Sequence, residues 1–311
     1  MHVYNHWHGL KDKHRDIVVG LGNFDGVHLG HQKLIAELVG MAKENGGTPA
    51  VFTFHPHPMA VLNPENSPPL LLSQESKQKF IARLGVEVLL LVPFDVIFAS
   101  LSPEDFIKIV LYEELGAKGV VVGYNYTFGH RGRGTPALLE EQSTIFGYQL
   151  RVVPPVKVAG QTVSSTLIRS LLMKGEVAEA ARFLGYYPFI EGWVVSGEKR
   201  GRTLGYPTAN LEIDQSLLVP ANGVYIVKVY FDGDTYLGVA NIGTKPTFQG
   251  KARNVEVHLM DFYGNLYGEH IKVSFTRRLR GEKRFKTPYD LVKQIEQDIL
   301  EARAEWSKVR E

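Results

Sequence analysis

The first half of the chain alternates between continuous apolar runs and stretches whose apolar residues recur at helical spacing. The apolar runs lie at residues 17–19, 49–54, 86–92, 120–122 and 150–153, and the helical stretches lie at 34–41, 74–84, from 102 onward and at 136–146. Continuous apolar runs predict strands that are buried on both faces. Strands that alternate with helices predict an α/β domain with a parallel sheet, whose ligands bind beyond the carboxyl ends of the strands.

The pattern changes near Pro188. Residues 163–184 are predicted to be mostly helical, and beyond them short strand-like runs at 192–195, 223–230 and 236–240 are separated by Gly, Asn, Asp and Pro. Asp232-Gly233 is typical of a hairpin turn, because both residues tolerate positive φ. We therefore predict an antiparallel barrel, followed by a C-terminal helix at residues 289–306.

Composition narrows the class of protein. The chain has 311 residues, which suggests about two domains. Its 35 basic and 33 acidic side chains leave a net charge of +2, so no binding to nucleic acid or to a membrane is predicted. Cysteine is absent, which excludes disulfides, thiolate catalysis and cysteine-ligated zinc. The N-terminus lacks a secretory pattern, and no apolar run approaches the length of ~20 residues that spans a bilayer, so we expect a cytoplasmic protein. The sequence leaves its oligomeric state open.

The segment at residues 22–32, GNFDGVHLGHQ, is the strongest candidate for chemistry. It places a glycine turn and two histidines, His28 and His31, between a strand and the start of a helix. A helix N-terminus offers unpaired N–H groups to phosphate, and imidazoles there can stabilise charge that develops on an attacked phosphate. Gly30 allows close approach of the backbone. The alternative is that the histidines only cap the helix.

The same residues carry a resemblance to a known family. His28-Leu29-Gly30-His31 matches the HxGH motif of Rossmann-like nucleotidylyltransferases, and the longer string resembles the N-terminal module of bacterial bifunctional riboflavin kinase/FMN adenylyltransferases, also called FAD synthetases. The resemblance implies a Rossmann-like FMN adenylyltransferase domain at 1–185 and an antiparallel β-barrel riboflavin kinase domain with a C-terminal helix at 186–311. The implied reactions use ATP and Mg²⁺ to convert riboflavin to FMN, and FMN to FAD with release of pyrophosphate.

Three further segments of the first domain are expected to converge on the nucleotide, and two of them match this family. Residues 53–58 (TFHPHP) end the second strand, 123–129 (GYNYTFG) resemble GxDFxFG with Asn125 in place of Asp, and 163–169 (VSSTLIR) match ISSTxIR. The implied catalytic residues are His28, His31 and Arg169; those for ATP are Gly22, Asn23, Phe24, Gly30, Ser164, Ser165 and Thr166; those for FMN are His57, Asn125 and Phe128. A zinc site formed by His28, His31, His55 and His57 is disfavoured, since no carboxylate accompanies these histidines. The alternatives are that Tyr126 and Phe128 are core aromatics and that VSSTLIR is a plain helix cap.

The second domain carries its own motifs. Residues 201–211 (GRTLGYPTANL) resemble the GRxLGFPTAN region of riboflavin kinases, 241–248 match the NxGxxPTF loop and 279–285 match LRxExxF. Strand alternation predicts that Glu256 and His258 project to one face. By resemblance Glu256 is the base towards the riboflavin hydroxyl, and its alternative is a solvent-facing glutamate. The implied nucleotide and flavin residues are Gly201, Gly205, Thr208, Asn210, Asn241, Arg280 and Phe285, with Thr208 and Asn210 at the metal. Basic residues around Arg280 that lie outside the motif are expected to be solvated.

The sequence thus predicts a bifunctional enzyme of flavin-cofactor biosynthesis. Two alternatives remain open: only one module is active, or the chain binds or senses flavin without turnover. Release of pyrophosphate that depends on magnesium separates the enzyme from the binding protein.

Overall fold

A computed structural model describes residues 1–197, 205–247 and 250–310 of the chain, which divides into two compact units, Met1–Ser165 and Thr166–Glu311. Each unit has its own sheet. No helix within the described ranges is long and apolar enough to cross a membrane.

The first unit is built on a six-stranded parallel sheet in the order β1-β4-β3-β2-β5-β6. Its strands are β1 (His2–Tyr4), β2 (Val18–Leu21), β3 (Pro49–His55), β4 (Val88–Pro93), β5 (Gly119–Gly123) and β6 (Gln149–Val153), with a small hairpin of β7 (Lys157–Val158) and β8 (Gln161–Thr162). The predicted parallel sheet is confirmed. The edge strand β1 was not predicted, because its three residues do not form a continuous apolar run.

Helices connect these strands. They are α1 (Leu29–Glu44), α2 (Pro58–Leu62), α3 (Gln74–Arg83), α4 (Val96–Ala99), α5 (Pro103–Asp105), a π-helix that continues it (Phe106–Glu114), and α6 (Pro136–Phe146), with 3-10 turns at Pro64–Asn66 and His130–Gly132. Ser102 caps α5 by accepting the N–H of Asp105, as its position before a proline and two acids predicts. The core lies on the sheet, where Val19, Phe52 and Val122 are almost wholly buried.

The second unit is a closed six-stranded barrel in the order β10-β13-β12-β11-β14-β9, which confirms the predicted barrel. It begins with α7 (Ser165–Lys174) and α8 (Val177–Leu184), and α7 takes its first residue from the first unit. The strands are β9 (Phe189–Val195), β10 (Ala209–Glu212), β11 (Gly223–Phe231), β12 (Asp234–Thr247), β13 (Gly250–Leu259) and β14 (His270–Arg280), and the chain closes with α9 (Pro288–Arg310). Asp232 (φ 50°) and Gly233 (φ 84°) form the predicted hairpin turn between β11 and β12.

One prediction for this unit is wrong. Residues 241–247 were expected to form a loop, but they extend β12, and Pro246 lies in register opposite Lys251 of β13. Proline has no N–H to donate to a ladder. It is therefore tolerated near the end of a strand, where one side of the strand has no hydrogen-bonded neighbour. Phe248, the last residue of that motif, lies outside the described residues.

Burial alternates along the barrel strands. Val255 and Val257 of β13 are fully buried inside the barrel, whereas Glu256 and His258, which alternate with them, are half-buried on the outer face, so the predicted common face of these two residues is confirmed. On that outer face α9 packs through Ile299 and Ala302 against a cluster that includes Ile226.

Candidate active sites

The first candidate site lies at the carboxyl edge of the parallel sheet. The glycine loop, residues 22–28, follows the central strand β2; His57 follows β3 and Asn125 follows β5, and these two strands flank β2. The connection after β2 leads to β3 on one side, while the connection after β5 leads to β6 on the other. Such a switch point opens a crevice in which α/β proteins bind nucleotides.

His28 sits at the N-cap of α1. Its Nδ1 accepts the backbone N–H of His31 at 3.3 Å, so the capping alternative describes part of what this residue does. Because Nδ1 is the acceptor, the proton of the neutral ring lies on Nε2. A Cβ on Gly30 would lie 3.1 Å from Cε1 of His28, so the glycine makes room for the ring of this histidine. The first turn of α1 has no acidic residue, which leaves its positive end available to an anion.

His31 stacks on His28, with ring centroids 3.6 Å apart and planes 12° apart. Burial, followed by the charges of His28 and Lys77, lowers the pKa of His31 well below its usual value. Within the described residues, Nδ1 of His31 is buried without a hydrogen-bond partner. His31 is therefore a neutral hydrogen-bonding group at pH 7 and not a protonated imidazolium.

The glycine loop is held by contacts that sequence reasoning missed. The carbonyl of Asn23 accepts the hydroxyl of Thr53 at 3.0 Å and the ammonium group of Lys77 at 3.4 Å. The buried carboxylate of Asp25 accepts the N–H of Leu71 at 3.0 Å. Asp25 lies inside the motif string and could have been singled out there, whereas no signal pointed to Lys77.

Predicted aromatic residues of the first unit are buried. Phe24 is fully buried at φ 51°, and its ring packs against that of His31 with 5.3 Å between the centroids. Phe128 belongs to the core and stacks on Tyr126 at 5.7 Å. Burial raises the pKa of the Tyr126 phenol, which keeps it neutral.

The VSSTLIR segment spans the division between the units. Ser165 belongs to the first unit, where its hydroxyl donates to the carbonyl of Asp25 at 2.9 Å and so fastens the glycine loop. Ser164 precedes it in the same unit. Thr166, which is exposed, and Arg169, which is half-buried, belong to the second unit as residues of α7.

The second candidate site is a row of polar residues across three strands of the barrel. Asn210 of β10 lies directly opposite Glu256 of β13, which lies directly opposite Asn241 of β12. Directly opposed residues of antiparallel strands project to the same face. The structure therefore brings together three predicted residues, here called the polar row, on the outer face of the barrel.

The polar row is held by close contacts. The amide nitrogen of Asn254 donates to Oε1 of Glu256 at 2.7 Å, which fixes the carboxylate. Asn210 is buried, and a Cβ on Gly197 would lie 2.1 Å from its amide nitrogen, so only a glycine fits there. His258 joins the same face, where its Nδ1 lies 2.9 Å from the carbonyl oxygen of Pro207.

Arg280 and Phe285 lie together, with the guanidinium carbon 5.8 Å from the ring centroid. Arg280 is also committed to α9, because its Nη2 donates to Oδ2 of Asp298 at 2.8 Å and both side chains are nearly buried. Charged pairs with this fork geometry fix orientation as well as charge. Asp298 was missed because its position on a helix resembles that of any solvated acid.

Other residues of this unit differ in how they are placed. Thr208 is half-buried just before β10, and Gly205 is exposed with φ 89°. Gly201 lies outside the described residues. The expectation that basic residues outside the motif are solvated is wrong for Arg278, which donates to the carbonyls of Lys174 at 3.1 Å and Asn222 at 2.6 Å.

Comparison with known proteins identifies a family for each half of the chain. The FAD synthetase family matches residues 10–167 and the riboflavin kinase family matches residues 184–306. The bifunctional riboflavin kinase/FMN adenylyltransferase of Bacillus subtilis (strain 168) is 41% identical over 315 residues, covering 100% of this chain and 99% of that protein. The enzyme of the same name from Listeria monocytogenes is 37% identical, covering 99% of each chain.

A solved structure is similar over nearly the same length. The crystal structure of a protein described as a macrolide-efflux protein of Streptococcus pneumoniae has a TM-score of 0.86 and 36% identity, covering 93% of this chain and 94% of that one. The likeness shows the fold, and the name belongs to that protein.

The parallel sheet with a histidine-capped helix, followed by a barrel with a polar row, defines a nucleotidyltransferase joined to a kinase. With relatives this similar over the whole chain, the protein belongs to the bifunctional riboflavin kinase/FMN adenylyltransferase family. The predicted family and class of enzyme are confirmed.

Proposed function

We propose that the second unit phosphorylates riboflavin to FMN with ATP and that the site of the first unit adenylylates FMN to FAD with a second ATP. The observation that carries this proposal is that the histidine pair and the polar row lie in two separately packed units of one chain. Each unit therefore has its own phosphate chemistry. The functional boundary stays at residue 185, so that Arg169 serves the adenylyltransferase.

In FMN adenylylation, a phosphate oxygen of FMN attacks the α-phosphorus of ATP, and the bond to the β-phosphate breaks to release pyrophosphate. Both reactants are ionised, so no strong base is needed, and catalysis consists of positioning and charge stabilisation. The Nε2–H of His28, the neutral ring of His31 and the N–H groups of α1 supply fixed donors. Arg169 neutralises the leaving pyrophosphate. His57 and Asn125, at the ends of β3 and β5, contact FMN.

In riboflavin phosphorylation, Glu256 accepts the proton of the ribityl hydroxyl. The oxygen of that hydroxyl attacks the γ-phosphorus of ATP, and ADP leaves. The hydrogen bond from Asn254 orients the carboxylate. Asn241 and Asn210 flank it in register. Gly205 allows nucleotide to approach closely, and Arg280 and Phe285 line the nucleotide and flavin pockets.

Mg²⁺ fits the second unit. The donor set consists of the hydroxyl of Thr208 and the amide oxygen of Asn210, with the carboxylate of Glu256 opposite Asn210. Oxygen donors of this kind suit Mg²⁺, which keeps waters and substrate phosphates among its ligands. When bound, the ion neutralises charge on the phosphates of ATP. We further propose that the enzyme works in the cytoplasm on riboflavin, FMN and ATP as small-molecule substrates.

The test is a time course in which the purified protein is incubated with riboflavin, ATP and Mg²⁺ and the flavins are separated by chromatography. We expect FMN to appear and then give way to FAD. In Glu256→Gln we expect loss of FMN formation with FMN-to-FAD conversion retained. In His28→Ala we expect FMN to accumulate, because the kinase is intact.

Each contrary outcome identifies an alternative. FMN alone from the wild-type protein would mean that the first unit is inactive, and unchanged riboflavin with FMN-fed reactions also silent would indicate a flavin-binding protein. Loss of both activities in a folded Glu256→Gln protein would contradict the assignment of separate sites.

A further inference from the structure

Lys77 stands where a helix normally places an apolar side chain. It lies on the buried face of α3 one turn before Ile81, which is fully buried, and Lys77 itself is only 8% exposed. Burying an ammonium group costs free energy unless it is paired and hydrogen-bonded. An apolar residue would satisfy the packing of this position better, so the lysine needs another reason to be there.

The contacts of Lys77 all lead to the first candidate site. Its Nζ lies 3.4 Å from the carbonyl oxygen of Asn23, which also accepts the hydroxyl of Thr53. The charged and titratable groups that face it are the carboxylate of Asp25 on the glycine loop and, on α1, the ring of His31 with His28 stacked behind it. From β3 the facing group is the neutral hydroxyl of Thr53.

We propose that Lys77 is a positioning residue for FMN adenylylation, whose ammonium group fastens the glycine loop to α3 and adds positive potential to the site that binds the phosphates of ATP. This proposal rests on the function proposed for the first unit. Lys77 acts through two groups: it holds Asn23, and its charge adds to burial and to His28 in lowering the pKa of His31.

The positioning role of Lys77 depends on pH, because it requires the charge of the ammonium group. Burial lowers its pKa from 10.5 to about 8, against the opposing effect of Asp25. The folded protein therefore loses the charge as pH rises through about 8, whereas the unfolded chain keeps it up to about 10.5. Since the unfolded state binds more protons over this range, stability rises with pH there while adenylylation falls.

The test compares Lys77→Met and Lys77→Arg with Lys79→Met in the full chain. Lys79 lies on the same helix but is exposed and pairs with Glu75 at 2.7 Å, so it is a matched control. FMN-to-FAD conversion is measured between pH 7 and 9.5 with FMN supplied. Circular dichroism and thermal unfolding report on the folding of the first unit, and riboflavin phosphorylation by the same protein reports on that of the second.

For Lys77→Met we expect kcat/KM for adenylylation to fall by about 10- to 100-fold, with phosphorylation unchanged and a melting temperature equal to or above that of the wild type. Lys77→Arg, which stays charged, retains activity and removes the fall in rate near pH 8. A purely structural lysine would not produce this pH difference or the rescue by arginine.

Two results would overturn the proposal. One is a Lys77→Met protein that adenylylates FMN as well as Lys79→Met does. The other result concerns pH and applies even where Lys77→Met does not fold. The proposal is wrong if the wild-type rate does not fall near pH 8, or if it falls there and Lys77→Arg shows the same fall. If the wild-type protein forms no FAD from FMN, the proposed function of the first unit fails instead.

Discussion

In both sites a glycine without a Cβ atom makes room for a polar side chain. Gly30 leaves room for the ring of His28 at 3.1 Å, and Gly197 leaves room for the amide of Asn210 at 2.1 Å. In both cases the glycine is needed for its lack of a Cβ opposite a functional side chain. The second contact is far below any real Cβ distance, so a methyl group there forces Asn210 to move.

Gly197→Ala is therefore expected to impair the kinase alone. Displacement of Asn210 removes one member of the polar row, and we expect kcat/KM for riboflavin phosphorylation to fall at least about 10-fold. FMN adenylylation, measured with supplied FMN, should stay unchanged. Gly40→Ala is a suitable control, because Gly40 lies within α1 with nothing near its Cβ position. Equal kinase activity in the two variants would contradict the role given to Gly197.

Among the secondary-structure elements, the sequence predicts those that a local pattern specifies. Pro136–Phe146 forms a helix with the predicted bounds, since Thr135 caps it and Gly147 ends it in the left-handed region. The strand β1 was missed because its pairing with β4 is a long-range contact without a local signature. The end of β12 was missed because its loop was predicted from the family motif alone, while its ladder to β13 continues to Thr247.

The same limit applies to the candidate sites. His28, Glu256 and Asn210 lie in contiguous motifs and could be predicted. Lys77 and Asp298 act through contacts far along the chain, to Asn23 and Arg280, and nothing local distinguishes them from surface charges.

Arg278 links elements in a way that can be tested. It donates to the carbonyl of Lys174, the last residue of α7, and to that of Asn222 before β11. Removing it leaves both carbonyls without that donor, so we expect Arg278→Gln to lower the free energy of unfolding by about 2–4 kcal/mol. Denaturant unfolding monitored at the barrel measures this.

The neighbouring Arg277→Gln is the control. Arg277 is exposed and pairs with Glu305 of α9 at 2.7 Å, and exposed ion pairs of this kind contribute at most about 1 kcal/mol. If both substitutions cost the same, the bonds of Arg278 to the two carbonyls do not stabilise the unit.

For the whole molecule, packing and motifs divide the chain differently. The FAD synthetase match ends at residue 167 and the riboflavin kinase match begins at 184, while packing places everything from Thr166 in the second unit. The helix α7 thus carries part of a motif of the adenylyltransferase, but α7 and α8 both pack with the barrel. The N–H of Ala221 donates to the carbonyl of Leu172 at 2.9 Å, and α8 packs against β14.

We therefore expect a fragment of residues 166–311 to be more stable than one of residues 186–311. The shorter fragment loses the buried side chains of Val177, Phe183 and Leu184, each of which contributes about 1.5–3 kcal/mol. Their sum is comparable to the whole stability of a typical domain, about 5–15 kcal/mol, so the shorter fragment should be largely unfolded. Thermal unfolding and riboflavin phosphorylation of both fragments provide the measurement. Equal melting temperatures and equal kinase activity would mean that α7 and α8 are dispensable to the barrel, and the boundary by packing would then coincide with the functional boundary that we propose at residue 185.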